Sequence, residues 1–169
     1  MKKIICLLSL FLLLNASLVN AEIRKGTDSF TNGISIRSYN EPESSLEPIT
    51  SFKKILSNES ASYEIMLRKS ELIELKGMLL ADSPLELKIG NNPVLEIKDY
   101  KYKITKTHKD YLTFYNTVIN AKIDKDVADK IRYADRVALR FECINYHDVY
   151  VLPDKVLNEW KQVIEVEGN

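Results

Sequence analysis

Two histidines and one late cysteine are the residues of this chain best suited to metal binding or nucleophilic catalysis: His108, His147 and Cys143. Cys143 precedes His147 by four positions in an alternating apolar stretch, and a fully extended strand would hold the two about 13 Å apart. Zinc binds its ligands at about 2.0–2.3 Å, so this spacing does not serve one ion unless the chain turns tightly. We therefore predict no metal site, and we expect Cys143 to be a buried structural thiol.

The acidic segment at 124–129 has the composition of a calcium loop but not its pattern. Its sixth position lacks glycine, and Asp135 stands at the twelfth position, where such a loop needs glutamate. We expect these acids to favour the start of a helix instead, with the Asp124 side chain accepting hydrogen bonds from the backbone of the first turn.

Other catalytic patterns are missing from the sequence. The five glycines never fall at nucleotide-binding spacing, and there is no Gly-x-Ser-x-Gly nucleophile motif. Carboxylates are plentiful, so a pair suited to glycoside cleavage stays open as an alternative, although only tertiary structure brings two acids together. We predict no catalytic, cofactor-binding or metal residues and no cofactor, and we favour a protein that is not an enzyme.

Residues 1–21 have the three-part build of a secretory signal peptide. A basic start at 1–3 is followed by an apolar run at 4–14 and by a more polar end at Val19-Asn20-Ala21. The apolar run covers 11 residues, whereas a transmembrane helix needs about 20. We expect cleavage after Ala21 and a soluble product that is secreted or periplasmic, with no transmembrane segment.

The charge of the remaining chain is close to balanced. Removal of the leader takes away two of the 24 basic residues and none of the 24 acidic ones, which leaves 22 against 24. The two signs are interleaved, as in Lys98-Asp99 and Lys109-Asp110, which is typical of an ordinary solvated surface. Because the sequence has no cluster of lysines and arginines that could neutralise phosphates, nucleic acid is not expected as a partner. Residues 22–169 suffice for a single globular, β-rich domain.

Alternating apolar and polar residues dominate this domain and predict half-buried strands. We expect residues 22–29 to form a frayed leader, residues 39–50 to form a long connector, and residues 71–81 to form a further strand. Between the predicted strands, Gly90-Asn91-Asn92-Pro93 has the composition of a tight turn, and His147-Asp148 is expected to form another.

Two helices are predicted late in the chain, near 124–134 and 153–164. Apolar residues recur at helical spacing in both, and Pro153 suits the start of the second, whose apolar stripe includes Trp160. The predicted fold class is therefore α+β, predominantly antiparallel β in a sandwich or a curved sheet, with these two helices covering an open face or end.

The tyrosines are the one compositional sign of recognition, since seven of the nine lie between Tyr100 and Tyr150. Tyrosine combines apolar area with a polar tip, which suits interfaces, although it also packs well within sheets. Tyr146-His147-Asp148, at a predicted turn, is the cluster best suited to an exposed patch.

These observations favour an exported, non-enzymatic binding module of bacterial type that engages an envelope protein or glycan. Two alternatives stay open. One is a small envelope hydrolase that acts through paired carboxylates, and the other is an inhibitor or chaperone of another exported protein.

Overall fold

The computed structural model describes residues 23–28, 33–42, 47–57, 60–72, 85–142 and 147–167. The strands in these ranges are β1 (Ile23–Thr27), β2 (Ile34–Ser38), β3 (Ile49–Leu56), β4 (Ala61–Glu71), β5 (Leu85–Ile89), β6 (Leu95–Ile97), β7 (Tyr100–Lys109), β8 (Leu112–Ile123), β9 (Val137–Glu142) and β10 (His147–Val151). The helices are α1 (Lys125–Arg132), between β8 and β9, and α2 (Asp154–Glu165), after β10.

The strands form two antiparallel sheets. The larger sheet has six strands in the order β1-β2-β3-β4-β8-β7, and the smaller has four in the order β10-β9-β5-β6. Every strand pair in both sheets is antiparallel. The predicted α+β class, predominantly antiparallel β with two late helices, is confirmed.

Period-2 alternation decides which side chains enter the core, because successive residues of a strand point to opposite faces. On β4, Tyr63, Ile65 and Leu67 are buried, whereas Glu64 and Arg68 point to the opposite face. The same order is repeated on β8, β5 and β9, so that one core draws on both sheets and both helices. Its largest fully buried side chains are Trp160, Phe52, Phe141, Ile36, Ile65, Leu67, Leu87, Ile119, Ile131, Leu139 and Val137.

The two helices pack against each other and onto the six-stranded sheet, α2 on β2 and β3, and α1 on β4. Trp160 of α2 is fully buried, with its ring centroid 5.1 Å from that of Phe52 on β3. Lys54 of β3 donates hydrogen bonds from Nζ to the carbonyl oxygens of Ile164 (2.7 Å) and Val166 (2.8 Å). Because the last carbonyls of a helix have no partners within the helix, this lysine closes the end of α2.

Several local predictions need correction. Residues Ile23–Thr27 fall in the expected frayed leader, yet they form β1, because each pairs with a residue of β2. The expected connector at 39–50 ends earlier, since Ile49 already belongs to β3 and Asn40 pairs with Thr50. His147 and Asp148 begin β10 instead of forming a turn.

The helix start also differs from the prediction, since the Asp124 side chain makes no capping hydrogen bond. The predicted signal peptide at 1–21, residues 73–81 of the strand predicted over 71–81, Cys143 and Tyr146 lie outside the described residues. In the part of the chain that is described, no helix has the length and apolar character needed to cross a membrane.

Candidate functional site: the β7–β8 hairpin

The hairpin of β7 and β8 extends beyond the other strands of its sheet. Its ladder runs from Tyr100 opposite Ala121 to Lys109 opposite Leu112. On its other side, β8 pairs with β4 only as far as Tyr115, which lies opposite Glu71. From there to the turn, β7 is the only strand beside β8 among the described residues, and side chains on both faces of β7 are exposed.

The turn of this hairpin is unusual in its backbone. Pairing of Lys109 with Leu112 leaves a two-residue loop, and both loop residues have positive φ, 56° at Asp110 and 68° at Tyr111. Such loops favour Asn-Gly or Asp-Gly, because glycine adopts positive φ without a Cβ clash. A tyrosine there costs about 1–2 kcal/mol.

The ring of Tyr111 gains nothing from burial that would offset this cost. Its relative exposure is 110%, and the adjacent Leu112 is 51% exposed. We call Asp110, Tyr111 and Leu112 the hairpin tip. A large aromatic side chain held in solvent by a strained backbone is a feature that recurs where residues recognise partners.

Side-chain contacts across the two strands order the stem beneath the tip. Oγ1 of Thr113 lies 3.1 Å from Nδ1 of His108, and Asn116 Nδ2 donates to Thr107 Oγ1 at 3.0 Å. Farther along, the Lys106 ammonium lies 5.2 Å from the centroid of the Tyr115 ring. Cross-strand pairs of this kind each stabilise a hairpin by about 0.2–1 kcal/mol, so the tip stands on an ordered support.

The two histidines belong to different sheets. His108 lies on β7 in the larger sheet, whereas the backbone of His147 begins β10 in the smaller one. Among the described residues, no group of three or more histidine, cysteine, aspartate or glutamate side chains is arranged to hold a metal ion.

Asp148, from the predicted patch at 146–148, is part of a charged cluster that joins the two sheets. Lys69 of β4 places its Nζ against Oδ2 of Asp148 and 2.6 Å from Oε1 of Glu71. The ammonium also lies 5.6 Å from the centroid of the Phe141 ring. We call Lys69, Glu71 and Asp148 the Lys69 cluster. Burial alone would lower the pKa of Lys69, but hydrogen bonds and charge from the two carboxylates outweigh it and raise that pKa.

The Lys69 cluster bears on the hydrolase alternative, because it brings two carboxylates close together. Two groups that contact one ammonium are at most about 6 Å apart, within the range that glycosidases use. The ammonium group, however, occupies the space between them where a substrate oxygen or a water would have to lie. The geometry is that of a partly buried salt-bridge cluster between the sheets, in which Lys69 is buried and Asp148 is 30% exposed.

The tyrosines divide into packed and exposed groups. Tyr63 and Tyr150 belong to the core, and burial, with a smaller effect of the Glu47 carboxylate, raises the pKa of Tyr150 to about 12. Of the tyrosines that the structure describes, Tyr111 on the hairpin and Tyr133, which follows α1, are the most exposed, Tyr133 at 76%. Strand packing therefore accounts for some tyrosines, while Tyr111 needs another explanation.

Comparison of the chain with family models, curated proteins and solved structures finds no match.

The sequence gives little sign of the hairpin tip. Lys109-Asp110-Tyr111 contains one turn-forming residue, Asp110, between two long alternating runs. Glycine is the usual sequence signal of a two-residue hairpin loop, and here tyrosine occupies the glycine position. The only available signal was the aspartate at the midpoint of an alternating stretch too long for one strand.

Proposed function

We propose that this protein is an exported, non-enzymatic binding module and that it engages a partner at the cell envelope through the hairpin tip. The observation that carries the proposal is Tyr111, which is fully exposed at a positive φ. Export is the expectation drawn from the predicted signal peptide at 1–21. A strained, solvated aromatic residue has a physical reason to exist if a partner buries it.

The chemistry of the tip favours a protein or glycan surface with an apolar pocket. Tyr111 and Leu112 together offer an exposed apolar area next to the single charge of Asp110. Aromatic residues are enriched at the centres of interfaces, where truncation of one such anchor typically costs at least about 2 kcal/mol, or about 30-fold in affinity. Because the stem is ordered by cross-strand contacts, little conformational entropy is lost when the tip is buried.

The test compares two tyrosine variants of the protein in the form that its host produces. Tyr111→Ser removes the tip ring, whereas Tyr133→Ser removes another exposed ring, just after α1. Partners recovered with each variant are quantified by mass spectrometry against those recovered with the unchanged protein. We expect at least one component to decrease about tenfold or more with Tyr111→Ser and to be unchanged with Tyr133→Ser.

Equal recovery of every component with the two variants would contradict a role of the tip in binding. A catalytic function would be indicated instead if the protein turned over an envelope polymer and a point variant abolished the turnover.

The inhibitor alternative uses the same feature, since a narrow exposed tip can enter the cleft of another protein. It predicts a stoichiometric complex in which the partner loses its own activity, and it predicts that Tyr111→Ser restores that activity.

A further inference from the structure

The outer face of the six-stranded sheet carries many basic residues that are distant from one another in the sequence. This face is the one opposite the core, and it carries Glu64, Met66 and Arg68 of β4 with their cross-strand neighbours. Eight of the strand residues on it are basic and one, Glu64, is acidic. The basic residues are Arg24, Arg37, Lys53, Arg68, Lys101, Lys103, Lys109 and Lys122. We call them the basic face.

Strand alternation produces this segregation. Lys101 and Lys103 are separated in sequence by Tyr102, which points to the other face, so the two lysines become neighbours about 7 Å apart. Val118 lies opposite both Lys103 and Arg68, which are therefore two strands, or about 10 Å, apart.

Much of this charge is uncompensated. Lys53 is paired with Asp28 at 3.0 Å, and Arg37 donates to Ser51 at 2.7 Å. In contrast, Arg68, Lys101, Lys103, Lys109 and Lys122 are exposed and form no ion pair with any described residue. Like charges at such spacing repel one another, and an anionic ligand laid across them removes that repulsion.

The side chains between the cations indicate which anion fits. On β8 and β4 they are Asn116, Val118, Asn120 and Met66, which offer amide groups and small apolar contacts, with Phe114 nearer the turn, opposite Thr107. Proteins that bind single-stranded nucleic acid on a sheet stack successive bases on several aromatic residues, whereas the strand residues of this face include one, Phe114. Duplex DNA is read by elements that enter a groove, whereas this surface is an extended sheet face. Amides beside cations suit a chain of hydroxyl and acid groups.

We infer that the basic face is a binding site for a linear acidic polysaccharide, with carboxylate or sulfate groups on the cations and hydroxyl groups on the asparagine amides. This goes beyond the proposed function, because it adds a second site that does not use the hairpin tip. Both proposals place the protein at the cell envelope, but the two sites consist of different residues.

The test measures binding of the protein, in the form that its host produces, to three polymers: polygalacturonate, dextran sulfate and neutral dextran. The variant Arg68→Gln/Lys101→Gln/Lys103→Gln removes three neighbouring charges from the face. Its matched control, Lys98→Gln/Lys130→Gln/Lys155→Gln, removes three exposed charges elsewhere. We expect the unchanged protein to bind one or both acidic polymers and not dextran, and we expect the first variant to bind at least tenfold more weakly, with the control within twofold.

Salt dependence gives a second readout. The slope of log K against log salt concentration should fall by about two to three in the first variant, because each lost contact releases about one counterion fewer. Acetylation of lysines followed by mass spectrometry needs no variant at all: bound polygalacturonate or dextran sulfate should protect Lys101 and Lys103 and leave Lys130 and Lys155 reactive.

Three results would overturn the inference: no binding to either acidic polymer, equal weakening by the two triple variants, or tighter binding of single-stranded or duplex DNA than of both acidic polysaccharides. Tyr111→Ser should leave polysaccharide binding unchanged, so failure of this site and failure of the proposed function at the tip are distinguishable.

Discussion

Replacement of Tyr111 by glycine should stabilise the protein, although it removes a large side chain. Tyr111 is fully exposed at a φ of 68°, so the substitution loses no buried area and relieves a left-handed conformation worth about 1–2 kcal/mol. Glycine costs about 0.5–1 kcal/mol in additional unfolded-state entropy. The net effect is a gain of about 0.5–1 kcal/mol in the free energy of unfolding, or about 1–4 °C in Tm for a domain of this size.

Urea denaturation and thermal unfolding followed by circular dichroism measure this gain. Tyr133→Gly is the matched control, because Tyr133 is also exposed but has a φ of −99°, where glycine relieves no strain. We expect Tyr133→Gly to lower stability by a few tenths of a kcal/mol up to about 1 kcal/mol. If Tyr111→Gly destabilised the protein as much as Tyr133→Gly does, the hairpin tip would not store backbone strain.

Three further substitutions test the interior. Lys69→Met should lower the free energy of unfolding, measured by urea denaturation, by about 3 kcal/mol, because it leaves the carboxylates of Glu71 and Asp148 close together without the ammonium. Since the pKa of Lys69 is raised, the unchanged protein should lose this stabilisation only above about pH 10.4. Lys54→Met should cost about 2–3 kcal/mol by the same assay, since it removes both hydrogen bonds that close α2; a cost below 0.5 kcal/mol would contradict that role. Burial raises the pKa of Glu159 against the opposing charge of Lys155, so ionisation of Glu159 destabilises the folded state at neutral pH. Glu159→Gln should therefore raise stability by about 1 kcal/mol at pH 7, and this advantage should vanish below pH 4.5, the ordinary pKa of the group.

The fold class was predictable because it depends on local patterns. The alternation of Tyr63, Ile65 and Leu67 and the helical stripe around Trp160 can be recognised in the sequence alone. In the structure both sets of residues are buried, as these patterns predict. Ends of elements were less predictable. The polar segment at 23–27 becomes a strand only because β2 supplies a pairing edge, which is a fact about another part of the chain.

The candidate sites were largely hidden from the sequence, each for its own physical reason. The hairpin tip was hidden because tyrosine occupies the position where glycine would have marked the loop. The Lys69 cluster joins residues from two sheets, about 80 positions apart, and no local pattern signals such an encounter. The basic face was hidden for another reason. Basic and acidic residues are interleaved in the sequence, and only the alternation of side chains along the strands separates them onto opposite faces.

The most direct test of recognition by the hairpin tip places a photo-crosslinking amino acid at position 111 and, in a matched sample, at position 133, in the protein as its host produces it. Irradiation should give one dominant covalent adduct from position 111 that is missing from position 133, with a mass that identifies the partner. Adducts of the same pattern and yield from both positions, or none from position 111 under conditions where position 133 reacts, would contradict the account.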